Sequence, residues 1–167
     1  MIKYKRTATF IISGILALFL IWLLHGALQP LKLQLGDGIP RIAIQTAAGA
    51  DTLQPVPGLP MLIMCFSRKC PHCIYELGQF EQQMERFSGM QVLLMTTERE
   101  FSPGIDNLRW PNLSHAVNIT WARVDEGDYK RCFGTAISPA YFIFDSQGRL
   151  TAKLRGEIKL DRLFESF

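Results

Sequence analysis

Cys70-Pro71-His72-Cys73 constrains this chain more than any other stretch. Two cysteines separated by two residues can close a small disulfide and reopen it. The flanks sharpen that reading. Residues 61–66, Met-Leu-Ile-Met-Cys-Phe, form an apolar run of strand type that ends just before the motif. Behind it, Ile74, Leu77, Phe80, Met84 and Phe87 recur at helical spacing, with Glu81, Gln82, Gln83 and Glu85 on the opposite face, which predicts a helix over 74–87. A dithiol at a strand-to-helix junction reads as a redox site.

The N-terminal part has a different character. Residues 7–28 contain no Asp, Glu, Lys or Arg. As a helix they would span roughly 33 Å, enough for a bilayer core of about 30 Å. Lys3, Lys5 and Arg6 precede the run, which orients the N-terminus to the cytoplasm and the rest of the chain outside. A cleaved signal peptide would have a shorter apolar region and a small-x-small site. His25-Gly26-Ala27 puts His where a small residue belongs, so an uncleaved anchor is the reading. The net charge of +3 sits there too: residues 1–35 hold four basic residues and no acidic ones, leaving 14 of the 18 basic residues against all 15 acidic ones. A folded part without basic excess gives no support to nucleic-acid binding. Four cysteines on an exported chain fit an oxidising compartment.

Along the rest of the chain, 29–37 reads as a tether and 41–46 as a strand, and the Gly- and Pro-rich stretch 49–60 reads as loop. Residues 61–66 and 90–95 read as strands buried on both faces. Residues 102–118 have the weakest pattern and room for a short helix. A strand at 119–124, a helix at 126–133 closed by Gly134, strands at 140–144 and 150–154 joined by Asp145-Ser146-Gln147-Gly148, and a last helix at 160–167 complete the order. This is an α/β pattern, a central sheet with helices on both faces.

Over residues 36–167 the sequence resembles the thioredoxin superfamily, and within it the membrane-tethered TlpA/ResA/DsbE-like proteins. Three features carry the resemblance: the Cys70–Cys73 motif between strand and helix, Ile137-Ser138-Pro139-Ala140 leading into a hairpin, and Glu76 three residues after Cys73. It implies a thioredoxin-like fold, a central mixed β-sheet flanked by helices, with an N-terminal transmembrane helix. The organisation is then a cytoplasmic N-terminus at 1–6, an anchor at 7–28, a tether at 29–37 and a thioredoxin-like domain at 38–167. It also implies that Pro139 is cis and puts Ser138 beside Cys70, with backbone groups free to pair with a substrate strand; without the resemblance, an ordinary trans proline opening a strand is the reading. The chain departs from the branch at Lys69, where Trp is usual, and at Gly78, where proline is frequent. Pro71-His72 is the dipeptide of DsbA-type oxidases, and Phe66-Ser67 is similar to theirs.

The expected chemistry follows from position. At the first turn of its helix, Cys70 faces unpaired N–H groups and the positive end of the helix dipole. Pro71 suits that turn, and His72 can add positive charge or a hydrogen bond near the sulfur. All three favour the Cys70 thiolate, which stabilises the reduced form and makes the disulfide a stronger oxidant by about 30 mV for each 1.4 kcal/mol. Cys70 is then the attacking sulfur and Cys73 the buried resolving one. Glu76 shares a helix face with Cys73. It is either a solvated carboxylate or, if buried, a base for the Cys73 proton. Lys69 borders the site and reads as solvated. Cys65 and Cys132 read as buried, inert cysteines, Trp22 as an interfacial anchor, and Trp110 and Trp121 as packing residues. Neither His25 nor His115 has a partner at metal-ligand spacing.

The leading function is a membrane-anchored periplasmic thiol–disulfide oxidoreductase of the bacterial inner membrane. It would act on protein cysteines, need no cofactor, and work with a membrane or periplasmic redox partner. The branch likeness tips the direction to reductase, while Pro71-His72 favours a disulfide-donating oxidase. The competing class is a copper(I) carrier using Cys70 and Cys73; no metal site is otherwise read.

Overall fold

The computed structural model describes residues 14–16, 18–20 and 32–167. Those from 14 to 20 are helical. The rest of the expected span at 7–28, the N-terminus before it, Trp22 and His25 lie outside the described residues. Among the described residues no helix is long and apolar enough to cross a membrane. The folded domain runs from Lys32 to Phe167.

Its strands are β1 (Ala43–Thr46), β2 (Gly49–Thr52), β3 (Met61–Cys65), β4 (Gln91–Thr96), β5 (Ile119–Arg123), β6 (Ala140–Phe144) and β7 (Leu150–Arg155). Its helices are α1 (Pro71–Gln82), α2 (Pro111–His115), α3 (Glu126–Phe133) and α4 (Leu160–Phe164). The sheet order is β2-β1-β5-β4-β3-β6-β7. β3, β4 and β5 run parallel, and β6 is antiparallel to β3. The sheet is therefore mixed, as expected.

The central strands have no polar face because both of their faces are covered. Side chains alternate across a strand, so Leu62 and Met64 of β3 join one core with Val92, Leu94, Tyr141 and Ile143. Met61, Ile63 and Cys65 join the other with Leu93, Met95, Ala140 and Phe142. The first core is closed by α1 (Cys73, Leu77, Phe80), α2 (Leu113) and α4 (Leu160, Leu163). The second is closed by Tyr129 and Phe133 of α3. Trp121 stacks on Trp110 at 5.5 Å and meets Phe66 edge-on at 5.5 Å, so both tryptophans pack as expected.

Three sequence readings change. The loop at 49–60 opens with a strand: Gly-Ala-Asp-Thr has little strand propensity, but hairpin pairing in the register Thr46↔Gly49 recruits it. The helix over 74–87 is two pieces, since α1 ends at Gln82 and Met84–Phe87 forms a 3₁₀ turn that sets Phe87 4.6 Å from Phe80. The tether at 29–37 lies against the domain from Lys32 on. Leu33 is buried, its amide donates to the Cys132 carbonyl at 3.1 Å, and its own carbonyl accepts from Lys153 Nζ at 2.8 Å.

The weak region at 102–118 holds a 3₁₀ turn, Asp106–Arg109, and the short α2. At the hairpin, Gly148 adopts φ 73°, a conformation glycine takes without steric cost. Replacing Trp121 with Ala should lower domain stability by about 3–5 kcal/mol, read from urea unfolding of the full chain.

Candidate functional site

Strand register assembles the site. β3 and β6 pair with Cys65 opposite Ala140. The chain leaving β3 and the chain entering β6 therefore end side by side. Cys70 follows the first, and the Ser138–Pro139 bond, which is cis, precedes the second. Cys70 Sγ lies 3.6 Å from the Ser138 carbonyl oxygen. The expected pairing of the dithiol with a cis proline is present.

Cys70 is the N-cap of α1, one residue before the first turn, with Pro71 as the first helical residue. It makes no side-chain cap, so its sulfur sits before open helix N–H groups, where negative charge is stabilised. Cys70 is half-buried and Cys73 fully buried, and both are free thiols. Burial pushes the Cys73 thiol up to about 12, although the Ser67 amide donates to its sulfur at 3.4 Å. Cys70 is thus the sulfur that reagents outside can reach, and Cys73 the enclosed one.

Glu76 is buried, 1 % exposed, so it is not a solvated carboxylate. Desolvation holds its carboxyl above the ordinary value, against the Ile158 amide that donates to Oε1 at 2.9 Å. His72 Nδ1 is paired with Glu157 Oε1, so of its two expected contributions the structure gives no hydrogen bond from this nitrogen to a sulfur. The segment carrying Glu157 is fixed on both sides, by the Gly156 amide donating to the Pro139 carbonyl at 2.9 Å and by the Ile158–Glu76 bond. Lys69 is exposed, as expected.

Sequence reasoning passed over the cluster that holds the approach to Cys70. Glu98, after β4, accepts from Ser67 Oγ at 2.6 Å, from the Arg68 amide at 2.9 Å and from Arg68 Nε at 2.8 Å. Arg68 Nη1 also donates to Asp106 at 2.8 Å, and its guanidinium lies over Phe101. Partial burial alone would raise the Glu98 pKa. The Arg68 and Ser67 bonds and the Arg68 charge outweigh it and hold the carboxyl below its ordinary value. No sequence spacing announces contacts between residues thirty apart. Glu157 and Tyr141 escaped for the same reason.

The two remaining cysteines lie on the other side of the sheet. Cys65 is buried beside Tyr129, and burial pushes its thiol up to about 11. Cys132 is half-exposed, a correction to the expected burial, because α3 presents it at the edge of that core; its thiol is also raised by burial. Both are free, so no bridge joins them. Among the described residues no group of three or more His, Cys, Asp or Glu side chains is placed to hold a metal ion. A copper ion would rest on the two thiolates alone.

Iodoacetamide at pH 8 should label Cys70 and Cys132 in the native protein, and Cys65 and Cys73 only after unfolding, by peptide mass spectrometry. A depressed carboxylate stabilises the fold above its unfolded pKa, and that contribution is lost as pH falls through the folded value. Glu98→Gln should therefore lower stability by about 1–3 kcal/mol at pH 7, with the difference from wild type shrinking by pH 3 in urea unfolding.

Neither a protein-family model nor a curated protein matches the sequence. Solved structures do match. A candidate thiol:disulfide interchange protein DsbE from Chlorobium tepidum is 20% identical, with TM-score 0.64 over 81% of this chain and 96% of that one. A peroxiredoxin-like protein from Aquifex aeolicus is 16% identical, with TM-score 0.61 over 83% and 91%. StoA from Bacillus subtilis is 14% identical, with TM-score 0.55 over 78% and 98%. These neighbours agree with the resemblance that the motifs carry. With the dithiol at a helix N-terminus and the cis proline beside it, they establish that residues 32–167 form a thioredoxin-like fold.

Proposed function

We propose that this protein is a thiol–disulfide oxidoreductase that exchanges disulfides with protein cysteines through Cys70 and Cys73. One observation carries the reading: a half-exposed sulfur at a helix N-terminus, 3.6 Å from the carbonyl before a cis proline, with a buried second thiol one turn along. In the forward cycle the Cys70 thiolate attacks a substrate disulfide, forming one mixed disulfide and releasing one substrate thiolate. Cys73 then bonds to Cys70 Sγ and expels the second. The protein ends oxidised and the substrate reduced by two electrons. A partner dithiol must restore the reduced form.

Two features support the reductase direction. Glu76 is buried behind Cys73, where it can take the proton released on resolution. Glu157 faces His72, so a carboxylate offsets the imidazolium charge that would otherwise favour the Cys70 thiolate and an oxidising disulfide. The proposal extends to location. The charge-free run at 7–28 behind Lys3, Lys5 and Arg6 supports a single-pass anchor in the bacterial inner membrane, with the domain and its redox partner in the periplasm.

The full chain should reduce insulin in the presence of dithiothreitol. Cys70→Ser should abolish the activity, and Cys73→Ser should accumulate mixed disulfides visible on non-reducing gels. Acid quench and thiol tagging in cells should find the pair mostly reduced; a mostly oxidised pair would reverse the direction.

A further inference from the structure

Among the described residues, three buried side-chain polar atoms lack a hydrogen-bond partner: Glu76 Oε2, the Tyr141 hydroxyl and Asn107 Oδ1. Such atoms are few in folded proteins, and each calls for an explanation. Two of the three belong to one place. Tyr141 is fully buried on β6, two residues beyond the cis proline, in the core that also holds Cys73. The strand register sets Tyr141 opposite Met64 of β3 and Leu154 of β7. Four residues past Leu154, the Ile158 amide donates to Glu76 Oε1, while Oε2 is left without a partner. The phenol and the carboxyl are neighbours without meeting the full geometry of a hydrogen bond, and the phenol shares its core with Cys73.

We propose that Tyr141 is the proton relay between the resolving thiol Cys73 and Glu76. The inference rests on the oxidoreductase reading. As the mixed disulfide is resolved, the Cys73 thiol gives its proton to the Tyr141 oxygen while the Tyr141 proton passes to Glu76 Oε2. The Cys73 sulfur, now anionic, bonds to Cys70 Sγ, and the bond from Cys70 to the substrate sulfur breaks. The substrate leaves as a thiolate, Glu76 ends protonated, and Tyr141 is regenerated. The reverse passage returns the proton when the disulfide is reopened. Buried, and beside the charges of Glu76, Cys73 and Glu157, the phenol is held well above its ordinary pKa, so it hands a proton on without itself ionising. The other groups around the relay are Cys70 at the helix start, His72 paired with Glu157, and Arg86, Lys159 and Asp161, which line the groove that Glu76 borders.

The sheet provides a control. Tyr129 is a second buried phenol beside a thiol, but on the opposite face, next to Cys65.

The test uses the full chain carrying Cys132→Ser, which leaves Cys70 as the half-exposed thiol. Reduced protein is mixed with 5,5′-dithiobis(2-nitrobenzoate) in a stopped-flow instrument. The first thionitrobenzoate reports attack by Cys70, and the second reports resolution by Cys73. In the parent the resolution rate should level off with rising pH once Glu76 is ionised. Tyr141→Phe should slow resolution at pH 7 by roughly tenfold or more and replace the plateau with a rate that climbs with pH. Glu76→Gln should do the same, the double variant should be no slower than the worse single one, and Tyr129→Phe should match the parent. A Tyr141→Phe profile that overlays the parent, additive losses in the double variant, or an equal effect of Tyr129→Phe would overturn the relay. If the parent itself forms the Cys70 adduct and never releases the second thionitrobenzoate, the dithiol reading fails, and the relay with it.

Discussion

The antiparallel pairing of β3 with β6 is the constraint on which the site depends. Neither strand carries a sulfur of the dithiol. Their register, Cys65 opposite Ala140, brings two separate chain segments to one end of the sheet. One enters a helix at Cys70, and the other carries the cis bond at Pro139. A slip of one residue would move every side chain of β6 to the opposite face. Tyr141 would then leave the Cys73 core and Phe142 would enter it. The apolar packing that fixes the register thereby also fixes the reacting geometry, and the large side chains of both faces oppose any slip.

A second layer of polar contacts then holds the segments that the strands deliver. Glu98 takes Ser67 and Arg68 on one side of Cys70. On the other side, three consecutive residues, Gly156, Glu157 and Ile158, reach Pro139, His72 and Glu76 in turn. The helix that presents the dithiol is therefore tied through its first turns to the strand that presents the proline. His72 and Glu157 are both exposed enough that their pairing contributes little to stability; its consequence is for charge beside the sulfur.

Much of this was legible in the sequence because it is local. The apolar run, the Cys-Pro-His-Cys motif and the helical spacing behind it lie within 27 residues, from Met61 to Phe87, and each speaks through its neighbours. Glu76 was legible as a candidate, but its burial was not, since that depends on Ile158, 82 residues on. β2 was hidden because its residues favour loop and only pairing with β1 makes them a strand. Arg68, Glu98, Asp106 and Glu157 look like solvated charges in the sequence, and distant folding alone gives them partners. The cis state of Pro139 followed from family likeness; its residue pattern alone reads as an ordinary strand entrance.

The alternation of β3 has a further consequence. Cys65 points to one face of the sheet, while Cys73 joins the core on the other. The sheet acts as an insulator between two thiol populations, one on each of its faces. No side-chain motion carries a sulfur through a hydrogen-bonded strand, so the two can meet only when β3 is torn from its neighbours. A disulfide between Cys65 and Cys73 would be a record that a molecule had come apart, not that it had worked.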